Sequence, residues 1–548
     1  MTRFYRSGRL ALGLALLALA TPSWAATLTI VHVNDSHSHL EAFGPKDRHL
    51  DGTLGGIAKA ATVVRAARGP ESQSVVLHAG DFFEGDIFFN ATFGSTELSL
   101  LKQIGFDALT LGNHDVRYGA GALLFALSNA QFQAPQLLSA NIDLGSLAGT
   151  DYAALAGLVA PRMVKPLDGL KVGIFGMTTP YDAVQGGLDL LKDEAMFVAA
   201  LEQVQALRAE GADVVICLSH LGFALDQQLA ALAAAKLDAN GLPGIDVIVG
   251  GHDHFAFAAP QSVARPGGRT TWIVQAGQNY EKVGRMQLSV EGGVVSLVDY
   301  ALVPVDRKVV RAPDVEARVD DVIENLVKPR FGDMFHAPIA WAFVDLEEKF
   351  EPARPRRDTA VGDLVADALR AATNAQIGVT TLGLTSDKIY AGAVVPDDLF
   401  RTVPYGYDAS TGLDWPIGTF DILGAEIGAI FEYGIDLYLR YGNEDFYPQV
   451  SGMTVAYDSR RPFGSRIVAA FVDGKPLDPA APYQCAGNFV LIEGLKQLLA
   501  GFGLPPIANV TMTPTDEYQA LRTHVEERGI IFPAPVPRIV DVGVVARR

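Results

Sequence analysis

The chain has 548 residues, 49% of them hydrophobic, and a formal net charge of −18. This length exceeds what one ordinary hydrophobic core holds together, and it favours at least two domains. The negative charge argues against nucleic acid or an anionic membrane surface as a partner, because both are themselves anionic.

The N-terminus has the pattern of a secretory signal peptide over residues 1–25. Arginines precede an apolar run at Leu10–Ala20, and small residues then lead to a cleavage point near Ala25. The run is too short to span a bilayer, and no later segment forms an uninterrupted span. We therefore expect a periplasmic or secreted mature protein without a membrane partner.

Residues 27–306 alternate between strand-like and helical stretches, which predicts an α/β domain. Apolar runs without alternation are typical of parallel strands whose two faces are both covered by helices. The predicted strands are Leu28–Val33, Val75–Ala79, Ala108–Leu111, Val214–Leu218 and Val247–Val249. The predicted helices are Gly55–Ala67, Glu97–Gln103, Phe197–Ala209 and Asp226–Ala235.

Each of the five predicted strands ends in a side chain that can bind a metal. These side chains are Asp35, His37, Asp81, Asn113, His220, His252 and His254. Ligands at strand ends converge on one edge of an open α/β sheet. Seven ligands are too many for one catalytic ion and suit two, which a shared carboxylate such as Asp81 would hold about 3.5–4 Å apart.

The local motifs around these residues also carry a family resemblance. They read Asn34-Asp35-Ser36-His37, Gly80-Asp81, Gly112-Asn113-His114-Asp115, Ser219-His220 and Gly250-Gly251-His252-Asp253-His254. In this order they resemble the calcineurin-like metallophosphoesterases, and the Gly-Gly-His-Asp-His form is similar to that of the 5′-nucleotidase family. The resemblance implies a four-layer α/β/β/α domain.

The resemblance also implies two metal ions and a histidine that acts without binding them. It assigns one ion to Asp35, His37, Asp81 and His254, and the other to Asp81, Asn113, His220 and His252. It places His114 at the reaction centre as a non-ligand. Ligation by Asp, His and Asn without Cys suits Mn²⁺, Zn²⁺, Co²⁺, Mg²⁺ or Fe²⁺, and the sequence does not choose among them.

The segment after His114 departs from the family pattern. The family continues Gly-Asn-His-Glu-Phe-Asp, with the last Asp orienting the histidine, whereas this chain has Arg117 at that position. An arginine cannot accept a proton from His114. Our hypothesis is that Glu84 holds His114 while Arg117 contacts the substrate or an acidic neighbour. The alternative is that Glu84 is a solvated loop residue and His114 has a backbone partner.

The sequence of the second half predicts a linker helix over residues 307–336 and an α+β domain over residues 337–548. Within the linker, apolar residues of Arg311–Asp333 follow helical spacing. The later predicted elements are helices at Asp363–Ala372 and Gly424–Leu439 and strands at Met453–Tyr457 and Ile467–Val472. This half resembles the 5′-nucleotidase C-terminal domain at Val361–Ala368, Val403–Gly406 and Tyr447–Gly452. The resemblance implies a substrate-binding role.

The substrate-binding residues are less well marked. The family's Gly-Gly-Ile-Arg and Gly-Gly-Asp-Gly-Tyr segments correspond to residues 381–386 and 492–495, which lack the arginine and the aspartate. Tyr447 and Phe489 are candidates for stacking on a base, and Arg356, Arg357 and Arg401 for contacting ribose or phosphate. The aromatics could equally be core residues and the arginines solvated.

The expected function is hydrolysis of a nucleotide or a related phosphoester by a metal-activated water. One alternative is an enzyme similar to the sulfur-oxidation thiohydrolases, which act on a cysteine S-sulfonate of a carrier protein and also lack the Asp that orients the histidine. Another is a ligand-binding protein with weak or no catalysis. The sequence leaves the oligomeric state open.

Overall fold

The computed structural model describes residues 25–181, 188–350 and 357–544. The signal-peptide prediction lies almost entirely outside these residues, and so does Arg356. The described residues contain no helix long and apolar enough to cross a membrane.

The first half contains two main sheets. The first has seven strands in the order Val294–Pro304, Lys282–Glu291, Ala26–Val33, Ser74–His78, Ala108–Thr110, Gln136–Leu138 and Val159–Ala160. The second has six in the order Gln261–Arg265, Arg269–Val274, Val247–Val249, Val214–His220, Leu170–Thr178 and Arg162–Leu167. The strands that carry the predicted ligands are parallel to one another within each sheet, so their carboxyl ends share one edge of that sheet.

The two sheets pack face to face, and helices cover their outer faces. Along the first strand, Leu28 and Ile30 face the second sheet, where they join a cluster with Ile174 and Ile216. The intervening Val31 packs against helices on the other side. Both faces of the strand are therefore buried, which explains its continuous apolar sequence and confirms the predicted four-layer α/β/β/α fold.

The four predicted helices of the first half begin and end within about one turn of the predicted bounds, at Ile57–Arg68, Ser95–Ile104, Asp193–Ala209 and Phe223–Lys236. The structure adds three helices that the sequence did not predict, Ile87–Thr92, Asn113–Arg117 and Gly119–Asn129. A short hairpin joins Phe43–Lys46 to Gly52–Leu54.

A helical segment follows, as predicted, and connects the two halves. It comprises Pro313–Val322, a π-helical turn at Ile323–Val327, and Lys328–Phe331. Pro313 occupies the first turn, where its missing N–H has no helical partner to lose. Val315 and Val319 are buried in a cluster that continues into the second half of the chain. The two halves therefore share this hydrophobic cluster.

The second half is α+β. Its largest sheet has the order Pro448–Ser451, Ile377–Thr381, Pro482–Asn488, Pro416–Leu423 and Ala508–Asp516. Two smaller sheets follow the orders Gly392–Val394, Ala340–Ala342, Ile530–Ile531 and Lys475–Pro476, Ile467–Val472, Met453–Tyr457, Ile539–Asp541. The helices are Ala360–Thr373, Pro396–Phe400, Gly424–Tyr441, Phe489–Phe502 and Glu517–Arg528. The Gly424–Tyr441 and Phe489–Phe502 helices cover one face of the five-stranded sheet.

Candidate active site

The seven predicted ligands gather where the carboxyl ends of the two sheets meet. Asp35, His37, Asp81 and Asn113 follow strands of the first sheet, whereas His220, His252 and His254 end or follow strands of the second. Because the sheets pack face to face, the two groups of ligands lie opposite each other across this edge.

The backbone bends sharply at these positions. Asp35, His37, Asp81, His252 and His254 all have positive φ, between 49° and 81°. Residues other than glycine rarely adopt this conformation, and such strain clusters at functional sites. The bend turns each loop back on itself after its strand, so that neighbouring side chains reach a common centre.

Two glycines allow the loops to approach closely. A Cβ atom on Gly112 would lie 2.0 Å from Asp81 Oδ1, and one on Gly80 would lie 2.6 Å from His220 Nδ1. Gly80 also has a φ of 87°, which glycine adopts without steric cost. A larger residue at either position would push a predicted ligand out of place.

The predicted ligands form overlapping groups with metal-site spacing. Donor atoms lie within 4.8 Å of one another in the sets Asp35/His37/His254 and Asp35/Asp81/His220, and also in the set His37/Asp81/His114, which includes the predicted non-ligand His114. His220 Nε2 is 3.0 Å from Asp81 Oδ2 and 3.7 Å from Asp35 Oδ1. Asp35, His37 and Asp81 each belong to two of the sets, so the three sets form one continuous cluster.

Asn113 and His252 complete the cluster on its other side. Asn113 Oδ1 lies 3.1 Å from His252 Nδ1, and the His252 ring lies 5.5 Å from that of His220, centroid to centroid. All seven predicted ligands are thus brought together at one edge.

The hydrogen bonding of these side chains fits bound cations. The His220 Nδ1–H donates to the Ala79 carbonyl at 2.6 Å, so Nε2 is the nitrogen that faces the Asp81 and Asp35 carboxylates. That Nε2 is buried and has no hydrogen-bond partner. His37 Nε2 and His254 Nε2 face each other at 3.1 Å. Imidazoles anchored through one nitrogen with the other free are typical of metal ligands.

The buried carboxylates also need compensating positive charge, which a bound cation would supply. Burial raises the pKa of Asp35 to about 7. Burial acts in the same direction on Asp81, but the nearby His220 and His114 outweigh it and hold the pKa of that carboxyl well below its usual range. Adjacent buried carboxylates are costly unless positive charge compensates them.

Glu84 is hydrogen-bonded to His114. Its carboxylate is fully buried and accepts hydrogen bonds from His114 Nδ1, from Arg117 NH1 at 3.0 Å and from the Tyr118 hydroxyl at 2.7 Å. Burial alone would raise the pKa of Glu84, but Arg117 and His114 lower it. The contact that our hypothesis requires is present, and the alternative of a solvated Glu84 is wrong.

Sequence reasoning did not identify Asp115 as part of this arrangement. Its buried carboxylate accepts the backbone N–H groups of Asp81, Phe82, Phe83 and Gly112, at 2.7–3.0 Å. It thereby ties the loop carrying Asp81 to the loop carrying His114. Its position directly after His114 is the sequence feature that could have identified Asp115 as part of the site.

The cluster opens into a cleft of about 360 Å³ between the two halves of the chain. The second half contributes Thr385, Ser386, Asp387, Tyr405 and Asp445 to its lining. The Tyr405 ring stacks on His114 with centroids 5.4 Å apart. Sequence reasoning also missed Tyr405 as a site residue, although it noted the motif Val403–Gly406 that contains it.

Tyr447 does not stack on a base. It has no exposed surface, and its hydroxyl bonds to that of Tyr457 at 2.9 Å. The rings of Phe350 and Tyr438 pack against it. The stacking role predicted for Tyr447 is therefore wrong, because the residue belongs to the core of the second half.

The candidate arginines are engaged elsewhere as well. Arg401 is buried and pairs with Asp397 and with Asp398, the latter at 2.7 Å. Arg357 is 4% exposed, and its guanidinium lies over the Phe350 ring. The predictions that Arg357 and Arg401 contact ribose or phosphate are therefore corrected: both arginines have structural roles. Phe489 is 43% exposed but does not line the described cleft.

Comparisons with known proteins agree with this geometry. Residues 28–256 match the family model for the calcineurin-like phosphoesterase, and residues 342–500 match that for the 5′-nucleotidase C-terminal domain. The chain is 30% identical to 5′-nucleotidase of Rattus norvegicus over 491 residues, which cover 82% of this chain and 78% of the relative.

Solved structures share the fold over nearly the whole chain. The 5′-nucleotidase precursor from Thermus thermophilus aligns with a TM-score of 0.77 and 26% identity, covering 94% of this chain and 99% of that one. The sulfate thiohydrolase SoxB from the same organism aligns with a TM-score of 0.71 and 21% identity, covering 96% of this chain and 99% of that one. At that identity the second likeness shows the fold alone.

Proposed function

The chain belongs to the 5′-nucleotidase family of metal-dependent phosphoester hydrolases, and from this premise we propose that it hydrolyses nucleotide phosphoesters at the cleft containing His114. The observation that carries the proposal is the gathering of seven Asp, His and Asn side chains at one sheet edge, with buried imidazole nitrogens left without partners.

We assign Asp35, His37, Asp81 and His254 to one ion, and Asp81, Asn113, His220 and His252 to the other. When bound, two such ions supply a nucleophilic water at neutral pH and offset the charge of the phosphoryl oxygens. Aspartate, asparagine and histidine donors suit the divalent ions named above.

In this proposal His114 protonates the leaving oxygen. Glu84 fixes Nδ1–H of the ring, which leaves Nε2 free to act, 3.9 Å from Asp81 Oδ2. Tyr405 covers one face of the ring from the second half of the chain. Arg117 and Tyr118 in turn donate hydrogen bonds to Glu84. Glu84 and Tyr405 therefore together fix the orientation of the His114 ring.

The proposed export of the protein rests on its N-terminal sequence. The basic start and the short apolar run of residues 1–25 support delivery to the periplasm or the medium.

A substrate panel on the Mn²⁺-loaded protein tests the proposed function. It should contain nucleoside monophosphates, 2′,3′-cyclic nucleotides, UDP-sugars, bis(p-nitrophenyl) phosphate and a cysteine S-sulfonate peptide. We expect release of phosphate from nucleotides. Turnover of the S-sulfonate peptide alone would favour the thiohydrolase, and binding of nucleotides without turnover would favour a binding protein.

Glu84→Gln should lower kcat by about 10–100-fold, the usual effect of removing a supporting partner at such a site. Gln keeps the size of the side chain but loses the negative charge that stabilises a protonated His114. KM and metal content should change little, as measured by steady-state kinetics and elemental analysis.

Arg117→Ala is the matched variant for Glu84→Gln, because it removes the other partner of the same carboxylate. Since Arg117 also lines the cleft, we expect the Arg117→Ala substitution to raise KM more than it lowers kcat. Glu84→Gln with full activity would contradict the positioning role.

Base selectivity should be loose, with kcat/KM for purine and pyrimidine monophosphates within about 10²-fold. Strong discrimination requires polar groups that read the edge of a base, and the arginine and aspartate of the family segments are missing here. Tyr447→Phe should leave these values unchanged while destabilising the fold by about 1 kcal/mol through loss of the Tyr457 hydrogen bond. A preference beyond that range would reveal a polar contact to the base.

A further inference from the structure

Four polar side chains in the interior of the first half form a continuous hydrogen-bond network. Ser36, His78, Glu97 and Tyr280 are each at most 2% exposed. The Ser36 hydroxyl lies 2.6 Å from Glu97 Oε1 and 2.9 Å from His78 Nε2. The Tyr280 hydroxyl donates to the same Glu97 oxygen at 2.6 Å. We call these four residues the Ser36 network. Buried polar groups are costly unless they are paired, and a paired network fixes the segments that it joins.

The donor in each of these hydrogen bonds can be assigned. The Gly80 N–H donates to His78 Nδ1 at 3.2 Å, so the proton of that ring is on Nε2, which faces Ser36. The Ser36 hydroxyl accepts from His78 and therefore donates its own proton to Glu97. The hydroxyl is thus held in one orientation between a donor and an acceptor.

The Ser36 network holds a strained turn of the backbone. Asp35, His37 and Ser38 all have positive φ, between 49° and 54°. Such conformations persist only where the surrounding structure fixes them. Backbone N–H groups of the turn donate to the carbonyls of residues 80–82, and the Ser36 hydroxyl adds a side-chain tie at the middle of the turn. The network therefore fixes the backbone that carries two of the predicted metal ligands.

The position of the His37 ring depends on this turn. His37 Nδ1 is buried and has no hydrogen-bond partner, whereas His220 Nδ1 is anchored on the Ala79 carbonyl. The loop that carries Asp81 has an anchor of its own, because the Asp115 carboxylate accepts three of its backbone N–H groups. A shift of the turn would therefore displace His37 while His220 and Asp81 kept their anchors.

We infer that Glu97 is a positioning residue: through Ser36 it holds the strained turn in the conformation that binds metal. Of the two ions, the one assigned to Asp35 and His37 depends on Glu97, and the one assigned to His220 does not. Glu97 does not line the described cleft, so it acts through Ser36 and not on the substrate. This inference rests on the proposed two-ion site.

Three substitutions and one control separate the hydrogen bonds from the general packing. Glu97→Met removes both acceptor oxygens but keeps the length of the side chain and a high helix propensity. Glu97→Gln is the conservative variant, because its amide oxygen can still accept from both hydroxyl groups. Ser36→Ala breaks the network at its centre without adding bulk. Ser99→Ala is the matched control, because Ser99 lies on the same helix as Glu97 and its hydroxyl donates to the Thr96 carbonyl within that helix.

Titration of the mature chain with Mn²⁺, followed by electron paramagnetic resonance, tests the inference without any substrate. Two Mn²⁺ ions that share a bridging carboxylate are magnetically coupled, whereas a lone bound ion gives the six-line spectrum of isolated Mn²⁺. We expect Glu97→Met and Ser36→Ala to weaken the binding of one Mn²⁺ by about 10–100-fold and to leave the other nearly unchanged. Both variants should then show the six-line spectrum at two equivalents. Glu97→Gln and Ser99→Ala should show the coupled spectrum of the unmodified chain.

The possible outcomes distinguish this inference from the proposed function. Unchanged affinities for two ions in Glu97→Met and Ser36→Ala would overturn the role of Glu97 and leave the proposed function intact. Equal weakening of both ions would also overturn it, since a general loss of structure affects both sites, and so would a loss in Glu97→Gln as large as that in Glu97→Met. If Glu97→Met impairs folding, as judged by thermal unfolding, Ser36→Ala alone decides the question. A single Mn²⁺ bound by the unmodified chain would instead overturn the two-ion assignment on which the proposed function depends.

Discussion

Asp81→Asn is expected to abolish nearly all phosphoester hydrolysis and to lower the metal content below two ions per chain. Asp81 lies close to His220, His37 and His114, and it is the carboxylate that we assign to both ions. An amide has the same shape but lacks the charge needed to bridge two cations. Elemental analysis of the purified variant, together with its rate on AMP, measures both effects.

The substitution should leave the fold intact. Asp81 has a φ of 54°, and asparagine tolerates this left-handed conformation as well as aspartate does. The side-chain oxygen of the asparagine can still accept the hydrogen bond from the backbone N–H of His114, which Asp81 Oδ1 accepts at 2.9 Å. Asp253→Asn is the matched control: it changes an aspartate between His252 and His254 whose carboxylate accepts the backbone N–H of Phe223. A fully active Asp81→Asn with two bound ions would contradict the bridging assignment.

The first half of the fold could be predicted because local pattern and global fold agree there. Leu28, Ile30 and Val31 are all apolar since the strand is buried on both faces, and this pattern indicates a covered parallel sheet without further information. Once the strands are parallel, their ligand-bearing ends must meet at one edge. The bends that bring those side chains to a common centre could not be predicted, because positive φ at residues such as His252 is set by the surrounding packing.

The second half was predicted less well at the level of side chains. From the sequence, Tyr447 could be either a base-stacking aromatic or a core residue, because local sequence does not reveal that Phe350 and Tyr438 cover it. The structural role of Arg401 could have been predicted. Asp397 and Asp398 lie four and three residues before it, a spacing that favours ion pairs within one helical turn. That signal was available in the sequence and argued against a substrate contact.

Contacts between the two halves could not be predicted from local pattern at all. Tyr405 stacks on His114, and Asp387 bonds to His39 at 3.0 Å and to Asn279 at 3.2 Å. These pairs are far apart in sequence and depend on how the shared core sets one half against the other. An apolar pocket of about 350 Å³ between the five-stranded sheet and the Gly424–Tyr441 and Phe489–Phe502 helices depends in the same way on how these elements pack.

His114→Ala is expected to lower kcat for AMP by about 10²–10⁴-fold, the usual contribution of a positioned proton donor. The ring is held by Glu84 through Nδ1 and by Tyr405 through stacking, so its Nε2 is presented to the cleft in one orientation. Metal content should stay near normal, whereas His252→Ala should lose metal. Metal loss in both variants to the same extent would show that His114 is a ligand instead.

The leaving group distinguishes proton donation by His114 from other roles. A nucleoside alkoxide must be protonated as it departs, whereas p-nitrophenolate is stable without a proton. If His114 donates that proton, His114→Ala should slow hydrolysis of p-nitrophenyl phosphate much less than hydrolysis of AMP. Equal losses on the two substrates would contradict proton donation and would instead indicate that His114 stabilises charge on the phosphoryl oxygens, which both substrates share.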